Sequence, residues 1–417
     1  MGQSESITAS NEQESFWSLA LASLGYRDFR LLWSGSVVEH AGEFMEVAAI
    51  LWLTNELTHS PLWLTIVGSC RFITMIFFPI IGGVVADRVN RRGLLVVALM
   101  GSALLSGQLA LLAATKAINL THLIVISLAG GAVMSFNHPA RQTIVPNLVK
   151  KEHLLNAVSM DTLSVHMSRA IGVPISGYLI DMVGVWPIFL IRALGCILAI
   201  FLLLFARVPP TPSATRAKAP WHNLMDGFRY LKGNTAVLIL VSLYALPLLA
   251  QNTFLNFLPV FANEIWQVGA IGYGYLQGAP GLGAVVSLFI LGLLTYYRNK
   301  FSLLIGSGLI LAMSLLIFPA SPWFLLALFM TVAVGGMVTA FVAVETTLIQ
   351  SIIPDQVRGR ILSWREVLFG LGPTGSILFG AIAQYTGVPI SLAVAGGICL
   401  FASLLLILLF PRFRGTG

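Results

Sequence analysis

The sequence predicts an all-α integral membrane protein with twelve transmembrane helices in two six-helix bundles, both termini cytoplasmic. Three observations carry this. First, of 417 residues 57% are hydrophobic and 10% charged, with mean hydropathy +0.87; a soluble globular domain carries about 25% charged residues. Second, apolar runs long enough to span a bilayer as helices recur along the whole length. Third, the basic residues fall on alternate loops, and the two halves of the chain repeat one another.

The first 15 residues are polar and acidic, without the apolar stretch of a signal peptide. Met1, Gly2 and Ser6 fit a myristoylation pattern, which we read as chance because the spans already anchor the chain. Residues 1–25 are thus expected to be a cytoplasmic segment. Spans are expected near 29–53, 61–85, 93–115, 121–141, 156–180 and 186–207, forming a first bundle over 26–207. A second set is expected near 235–261, 268–294, 301–319, 322–345, 362–385 and 388–410, forming a second bundle over 235–410, followed by a cytoplasmic tail over 411–417. Between the bundles, residues 208–234 begin P-P-T-P-S-A-T-R-A-K-A-P, an extended linker composition. From Trp221 to Lys232 the linker sets Trp221, Leu224, Met225, Phe228 and Leu231 at helical spacing, as an amphipathic helix on the cytoplasmic membrane surface would.

Orientation follows from lysine and arginine. All but four of the 24 basic residues lie in the N-terminal segment, the even-to-odd loops, the linker or the C-terminal tail, counting adjoining helix ends. The exceptions are Lys116 on the opposite side and Arg71, Arg169 and Arg192 inside spans. The net charge of +7 is therefore a topology signal and does not point to nucleic acid. Cys70, Cys196 and Cys399 sit in apolar runs and read as small buried residues, not a disulfide framework. No His/Cys/Asp spacing suited to a metal appears, and no nucleotide-binding loop of the G-x-x-x-x-G-K-[ST] type, so neither cofactor nor direct ATP use is expected.

The halves repeat. Gln142-x-x-x-Pro146-Asn147-x-Val149-Lys150 follows span 4, and Gln350-x-x-x-Pro354-Asp355-x-Val357-Arg358 follows span 10. Gly177 and Gly184 of span 5 have counterparts in Gly380 and Gly387 of span 11. Two homologous bundles related by an axis along the membrane normal are a transporter plan, with the substrate site between them near mid-membrane.

The chemistry concentrates in span 1. Glu39, Glu43 and Glu46 fall within roughly 60° of arc at about 100° per residue, with His40 beside them. An ionised carboxylate at the bilayer centre costs roughly 2.5–3.5 kcal/mol on insertion scales, so this face must look into protein or a water-filled cavity. Arg71 of span 2 should lie at the depth of Glu39 and Glu43, and span 5 adds His166 and Arg169 near mid-span. Two readings stand for these groups. They couple transport to protons or touch the substrate, with Glu43 the first candidate, or they form fixed ion pairs that lock helices together. His40 and His166 fit structural hydrogen bonding better than a relay. Asp161 and Glu366 sit near cytoplasmic ends and read as gate or loop contacts. Arg192 reads as a cation in the outer part of span 6 that snorkels or functions.

Apart from its cytoplasmic ends the second bundle has no charge inside its spans. It offers the amides Gln251, Asn252, Asn256, Gln277 and Gln384 and the aromatics Tyr244, Phe254, Phe257 and Tyr273. Amides among aromatics suit an apolar, drug-sized ligand; hydrogen bonding between helices is the competing use.

The loop after span 2 reads Gly82-Gly83-Val84-Val85-Ala86-Asp87-Arg88-Val89-Asn90-Arg91-Arg92. It resembles the signature loop of the major facilitator superfamily, with Asn90 where glycine is usual; asparagine tolerates the left-handed backbone of such a turn. The loop from Leu293 to Phe301 is its degenerate copy and lacks the acid. Asn137-His138-Pro139-Ala140-Arg141-Gln142-Thr143-Ile144-Val145-Pro146-Asn147-Leu148-Val149, Pro354-Asp355-Gln356-Val357-Arg358-Gly359-Arg360 and Tyr26-Arg27-Asp28-Phe29-Arg30-Leu31-Leu32-Trp33 resemble the branch containing enterobactin exporters and macrolide efflux proteins. The resemblance covers about residues 26 to 410. It implies the major facilitator fold, a monomer in the cell membrane, and a cytoplasmic gate built on Gly83, Asp87, Arg88, Arg91, Arg92 and Arg141. Gly172-x-Pro174-x-x-Gly177 resembles a degenerate form of the proline-glycine motif of proton-driven drug exporters.

The expected function is secondary active transport by alternating access: export of a small amphipathic molecule in exchange for protons. Import of a polar nutrient on the same fold is the alternative, decided by flux direction. A membrane-embedded enzyme is the remote one, and no histidine here has the Asp five residues on that such acyltransferases use. A sensor would leave the intramembrane acids without a purpose.

Overall fold

The computed structural model describes residues 21–86, 90–208, 220–294, 297 and 299–409, all helical or connecting backbone. The helices are α1 Arg27–Thr58, α2 Pro61–Ala86, α3 Arg91–Ala114, α4 Leu120–Ile144, α5 Leu154–Val183 and α6 Trp186–Phe205 in the first half. A linker helix, α7 Pro220–Gly233, leads to α8 Thr235–Leu243, α9 Ala245–Val260, α10 Gly269–Leu293, α11 Lys300–Ala320, α12 Phe324–Ile352, α13 Asp355–Thr374, α14 Ser376–Thr386 and α15 Val388–Leu409. Among the described residues, nine helical stretches are long and apolar enough to cross a membrane. Helix α1, at 32 residues, has the length too but carries the three glutamates.

Local chemistry sets many of the boundaries. Asn90, Asn119, Asn234 and Asn299 each accept a hydrogen bond from a backbone N–H two or three residues on, capping α3, α4, α8 and α11. Gly184 and Gly387 end α5 and α14 with φ +90 and +88, a backbone region that favours glycine. Two expected spans are broken. The run 235–261 is divided at Tyr244, where Pro247 brings no N–H for the Leu243 carbonyl, and it closes in a π-turn over Phe261–Ile265. The run 362–385 is divided at Gly375, just after Pro373. The freed Pro373 carbonyl accepts from Ser69 Oγ at 3.1 Å and from Asn252 Nδ2 at 3.1 Å, so the break is satisfied by side chains.

Packing inside each half is close, and the halves meet along two seams. Helix α5 lies against α10, where Gly177 faces Gly274 and the Ala270 carbonyl. Helix α2 lies against α13 and α14, with Phe72 and Phe369 ring centroids 6.1 Å apart. The end where α1 turns into α2 is tied across the halves. Tyr273 Oη donates to the Ala48 carbonyl at 3.0 Å, Ser60 Oγ to Gln384 Oε1 at 2.7 Å, and Tyr178 and Tyr275 hydroxyls lie 2.8 Å apart. Trp52 packs on Tyr273 at 5.3 Å between ring centroids.

Helix α7 lies over the stretch expected to be an amphipathic linker helix. Leu231 is buried, while Met225 and Phe228 are exposed on its surface. Gly227 sits against the Arg360 carbonyl and the Trp364 ring, and Phe228 stacks near Trp364 at 5.6 Å. The three cysteines are free and buried.

Candidate functional site

Between the halves lies a cavity of about 340 Å³. The first half contributes the ionic wall: His40, Glu43 and Glu46 from α1, Arg71 from α2 and Arg169 from α5. The second half contributes Asn252, Leu255 and Asn256 from α9, Gln277 from α10 and Phe369 from α13. The remaining lining is mostly apolar, including Phe44, Val47, Val67, Phe72 and Val173. A concave, mainly apolar space with a few convergent polar groups is what a small-molecule site looks like.

The three glutamates share a helix face but not a fate. Glu39 is 3% exposed and points away from the cavity into the first half. Arg141 Nη1 donates to its Oε2 at 3.0 Å, Arg192 Nη2 to its Oε1 at 3.2 Å and Asn137 Nδ2 to Oε1 at 3.3 Å. Arg192 also donates to the Glu39 backbone carbonyl. Asp161 adds a second acid, 3.4 Å from Arg141 Nε. Glu43 faces the cavity and pairs with Arg71 Nη2 at 3.1 Å. His40 Nδ1 lies 3.7 Å from carboxylate oxygens of both Glu39 and Glu43. Glu46 accepts from Ser106 of α3 and has no basic partner among the described residues.

These positions correct one expectation and bear on another. Arg192 does not snorkel: it is buried and shares Glu39 with Arg141. Arg141, expected in the gate with Asp87 and Arg88, pairs between helices, with Glu39 of α1 and Asp161 of α5. The gate residues Asp87 and Arg88 lie outside the described residues, and Gly83 is described only as part of α2. Arg92 donates to the carbonyls of Leu203 and Leu204 at the end of α6, at 3.1 and 2.7 Å; Arg91 opens α3 beside it. Donor atoms of Glu39, His40 and Glu43 lie within 4.8 Å of one another. Guanidinium groups already neutralise both carboxylates, so the cluster needs no metal for charge balance.

Arg169 stands apart from the other buried arginines. Its Nε donates to the Gln277 backbone carbonyl at 3.2 Å, and its guanidinium carbon lies 5.5 Å from the Phe44 ring centroid. His166, one turn earlier, presses its carbonyl toward Gly281 of α10 and is not among the cavity-lining side chains.

In the second half, Asn252, Asn256 and Gln277 line the cavity, and the first two also staple helices. Asn252 Nδ2 and Asn256 Nδ2 donate to Ser376 Oγ at 3.2 and 3.3 Å, and Ser376 Oγ meets Ser69 Oγ at 3.0 Å. Phe254 and Phe257 are fully buried core residues, with Phe254 packed on Phe318 at 4.6 Å. Tyr244 lies under Arg365, 4.2 Å from its guanidinium carbon. Gln251, on the turn beside Asn252, is half-buried and outside the cavity lining. Gln384 belongs to the tied end.

The second half also holds an ion pair that the sequence reading placed at a helix end. Glu345 is fully buried two turns inside α12, and Arg365 Nη2 donates to it at 2.8 Å and to Thr346 Oγ1 at 2.7 Å. The span expected over 322–345 ends at Glu345, whereas the helix runs on to Ile352. Ser106 was likewise missed, since a serine in an apolar run gives no signal of its own.

A family model described as transmembrane secretion effector matches residues 18–414. The chain belongs to this family of major facilitator transporters. It is therefore a multi-pass membrane transporter and not an enzyme. Relatives agree over nearly the whole length. The staphyloferrin A transporter of Staphylococcus aureus (strain NCTC 8325 / PS 47) is 21% identical, over 88% of this chain and 92% of its own. The enterobactin exporter EntS of Escherichia coli O1:K1 / APEC is 26% identical, over 86% and 87%. Among solved structures, a POT family transporter in complex with a thioalcohol-conjugated peptide superposes with TM-score 0.72 at 14% identity, covering 93% of this chain and 96% of that one. The nucleoside transporter NupG gives TM-score 0.69 at 15% identity, covering 92% and 98%. These structural likenesses establish the family's shared fold.

Proposed function

We propose that this transporter exports a small amphipathic molecule in exchange for protons, by rocking two six-helix bundles about the cavity between them. The observation that carries this is the cavity wall itself: titratable groups on the first-half side, amides and aromatics on the second. Alternating access in this architecture places the substrate at the interface of the two repeats. The twelve-span reading counts α1, α2 and α5 with the apolar helices and joins α8 with α9 and α13 with α14. Basic residues on alternate loops put both termini, the linker helix and the Asp87 loop in the cytoplasm. The tied end, with Ser60, Gln384 and Tyr273, is then the outer one, and the bundles are closed against the outside.

Outward direction is supported by the enterobactin exporter among the relatives. Proton coupling is supported by Glu43. Its carboxylate lines the cavity and holds Arg71 at 3.1 Å, so a proton on Glu43 would release Arg71. A carboxylate alternately paired and protonated, reached from one side at a time, is the element an exchanger needs. Glu46, without a cation, is the second candidate. Glu39 fits the locking role, being closed in by two arginines.

The test uses inside-out vesicles with an imposed pH gradient and a panel of fluorescent amphipathic dyes. Wild type should accumulate a dye when the lumen is acidic. Glu43→Gln should lose most of that gradient-driven accumulation while still exchanging labelled for unlabelled dye. Accumulation indifferent to the gradient would remove the proton from the reading, and inward flux in intact cells would favour the importer.

A further inference from the structure

We infer that Arg169 anchors an anionic group of the transported molecule, so that the cavity selects amphipathic organic anions, carboxylates above all. The inference rests on the cavity being the substrate site, as proposed above. Its ground is a difference among the arginines inside the membrane. Arg71 has Glu43 at 3.1 Å, Arg141 and Arg192 share Glu39 at 3.0 and 3.2 Å, and Arg365 has Glu345 at 2.8 Å. Arg169 has no carboxylate within ion-pair distance among the described residues. Its recorded polar partner is one backbone carbonyl, that of Gln277. Yet it lines the same cavity, among Val165, Val173 and Phe44.

A guanidinium offers five N–H donors and matches a planar carboxylate with two parallel hydrogen bonds. Here one donor is used on Gln277, and Phe44 braces the flat face of the group. The fork is held in place with donor capacity in hand, in surroundings where an unpaired cation is costly. An occupant that brings the missing anion gains most of what an ion pair gives there. Of the acids lining the cavity, only Glu46 lacks a basic partner among the described residues. Glu43 is taken by Arg71, and Glu46 holds the Ser106 hydroxyl on the α3 side, away from the α10 side where Arg169 meets Gln277. A cationic head at Glu43 would have to displace Arg71, and one at Glu46 would share the cavity with the Arg169 guanidinium. Donor groups elsewhere on the anion, such as hydroxyls, would suit Glu46.

The experiment uses the purified full chain in lipid nanodiscs and three probes on one scaffold: 1-naphthylacetate, 1-naphthylacetamide and 1-naphthylmethylamine. Wild type is expected to bind the acetate about tenfold or more tighter than the neutral amide, as charge-assisted hydrogen bonds imply, and the amine weakest. Arg169→Gln should bring the acetate down to the amide's affinity and leave the amide unchanged. Arg169→Lys, which keeps the charge without the fork, should retain part of the preference, and unchanged melting temperatures would show both variants folded. Equal binding of acetate and amide by wild type, an acetate preference surviving Arg169→Gln, or no binding of the acetate up to millimolar concentration would each overturn the anchor. Proton-linked dye efflux intact alongside any of these results leaves the transporter reading standing without it. An Arg169-dependent acetate preference with no gradient-driven efflux leaves the anchor standing and removes the coupling.

Discussion

Glu39, Glu43 and Glu46 lie on one arc of α1, but each turn of helix carries the side chain to a new depth. At 1.5 Å per residue, Glu39 and Glu46 are about 10 Å apart along the axis. They therefore meet different neighbours: α4 and α6 for Glu39, α2 for Glu43, α3 for Glu46. The Glu39 cluster should behave as a structural lock. Removing one partner from a buried ion pair leaves an uncompensated charge, so Arg192→Leu is expected to cost about 3–5 kcal/mol. Thermal unfolding in detergent reads this directly, and a melting temperature equal to wild type would show that Arg141 alone satisfies Glu39. The second half reaches the same end with other chemistry: Glu345 on α12 with Arg365 on α13, under the Tyr244 ring.

At the scale of elements, the α5–α10 seam governs how closely the halves approach. A Cβ on Gly177 would stand 2.6 Å from the Ala270 carbonyl oxygen and 3.0 Å from Gly274 Cα. Backbone cannot yield as a flexible side chain can, so Gly177→Ala should wedge the tied end open. Spin labels at Leu57 and Tyr385, both exposed near that end, are expected to gain a longer-distance population. Identical distance distributions in the variant and wild type would mean the seam adjusts elsewhere. The broken helices work in the opposite sense. The Pro373 break frees a carbonyl that Ser69 and Asn252 take up, so it ties α2, α9 and α13 where the cavity wall is built. Asn252→Ala should cost about 1 kcal/mol, the usual net worth of one such hydrogen bond, again visible as a lowered melting temperature.

At the scale of the molecule, the proposed alternating access requires the tied end to open. Ser60 and Gln384 touch across the halves at 2.7 Å, so cysteines at both positions should be joined by a short bis-methanethiosulfonate cross-linker. The native cysteines are buried and should not compete. Cross-linked protein is expected to lose most of its transport and to recover it on reduction. Full activity in the cross-linked state would exclude rocking about this end. The repeat is visible at this scale as shared position with exchanged chemistry. Asn137 in α4 and Glu345 in α12 are separated by the same 208 residues as Gln142 and Gln350. One is an amide assisting an acid on α1; the other is itself the acid.

The sequence by itself determined the class, because that rests on properties summed over many residues: apolar length, a low share of charge and the family's motifs. Asn90, expected to take the left-handed turn of a glycine, has φ −57 instead and caps α3 with its side chain. Only the tertiary structure decided which polar groups meet. Periodicity gives the angle of a side chain about its helix but not the neighbour at its depth. For that reason Glu39 could not be told from Glu43, Phe254 and Tyr244 could not be told from cavity residues, and Arg192 could not be placed beside Glu39. The same limit hid Arg169: that a cation lacks an anion is a fact about every helix around it.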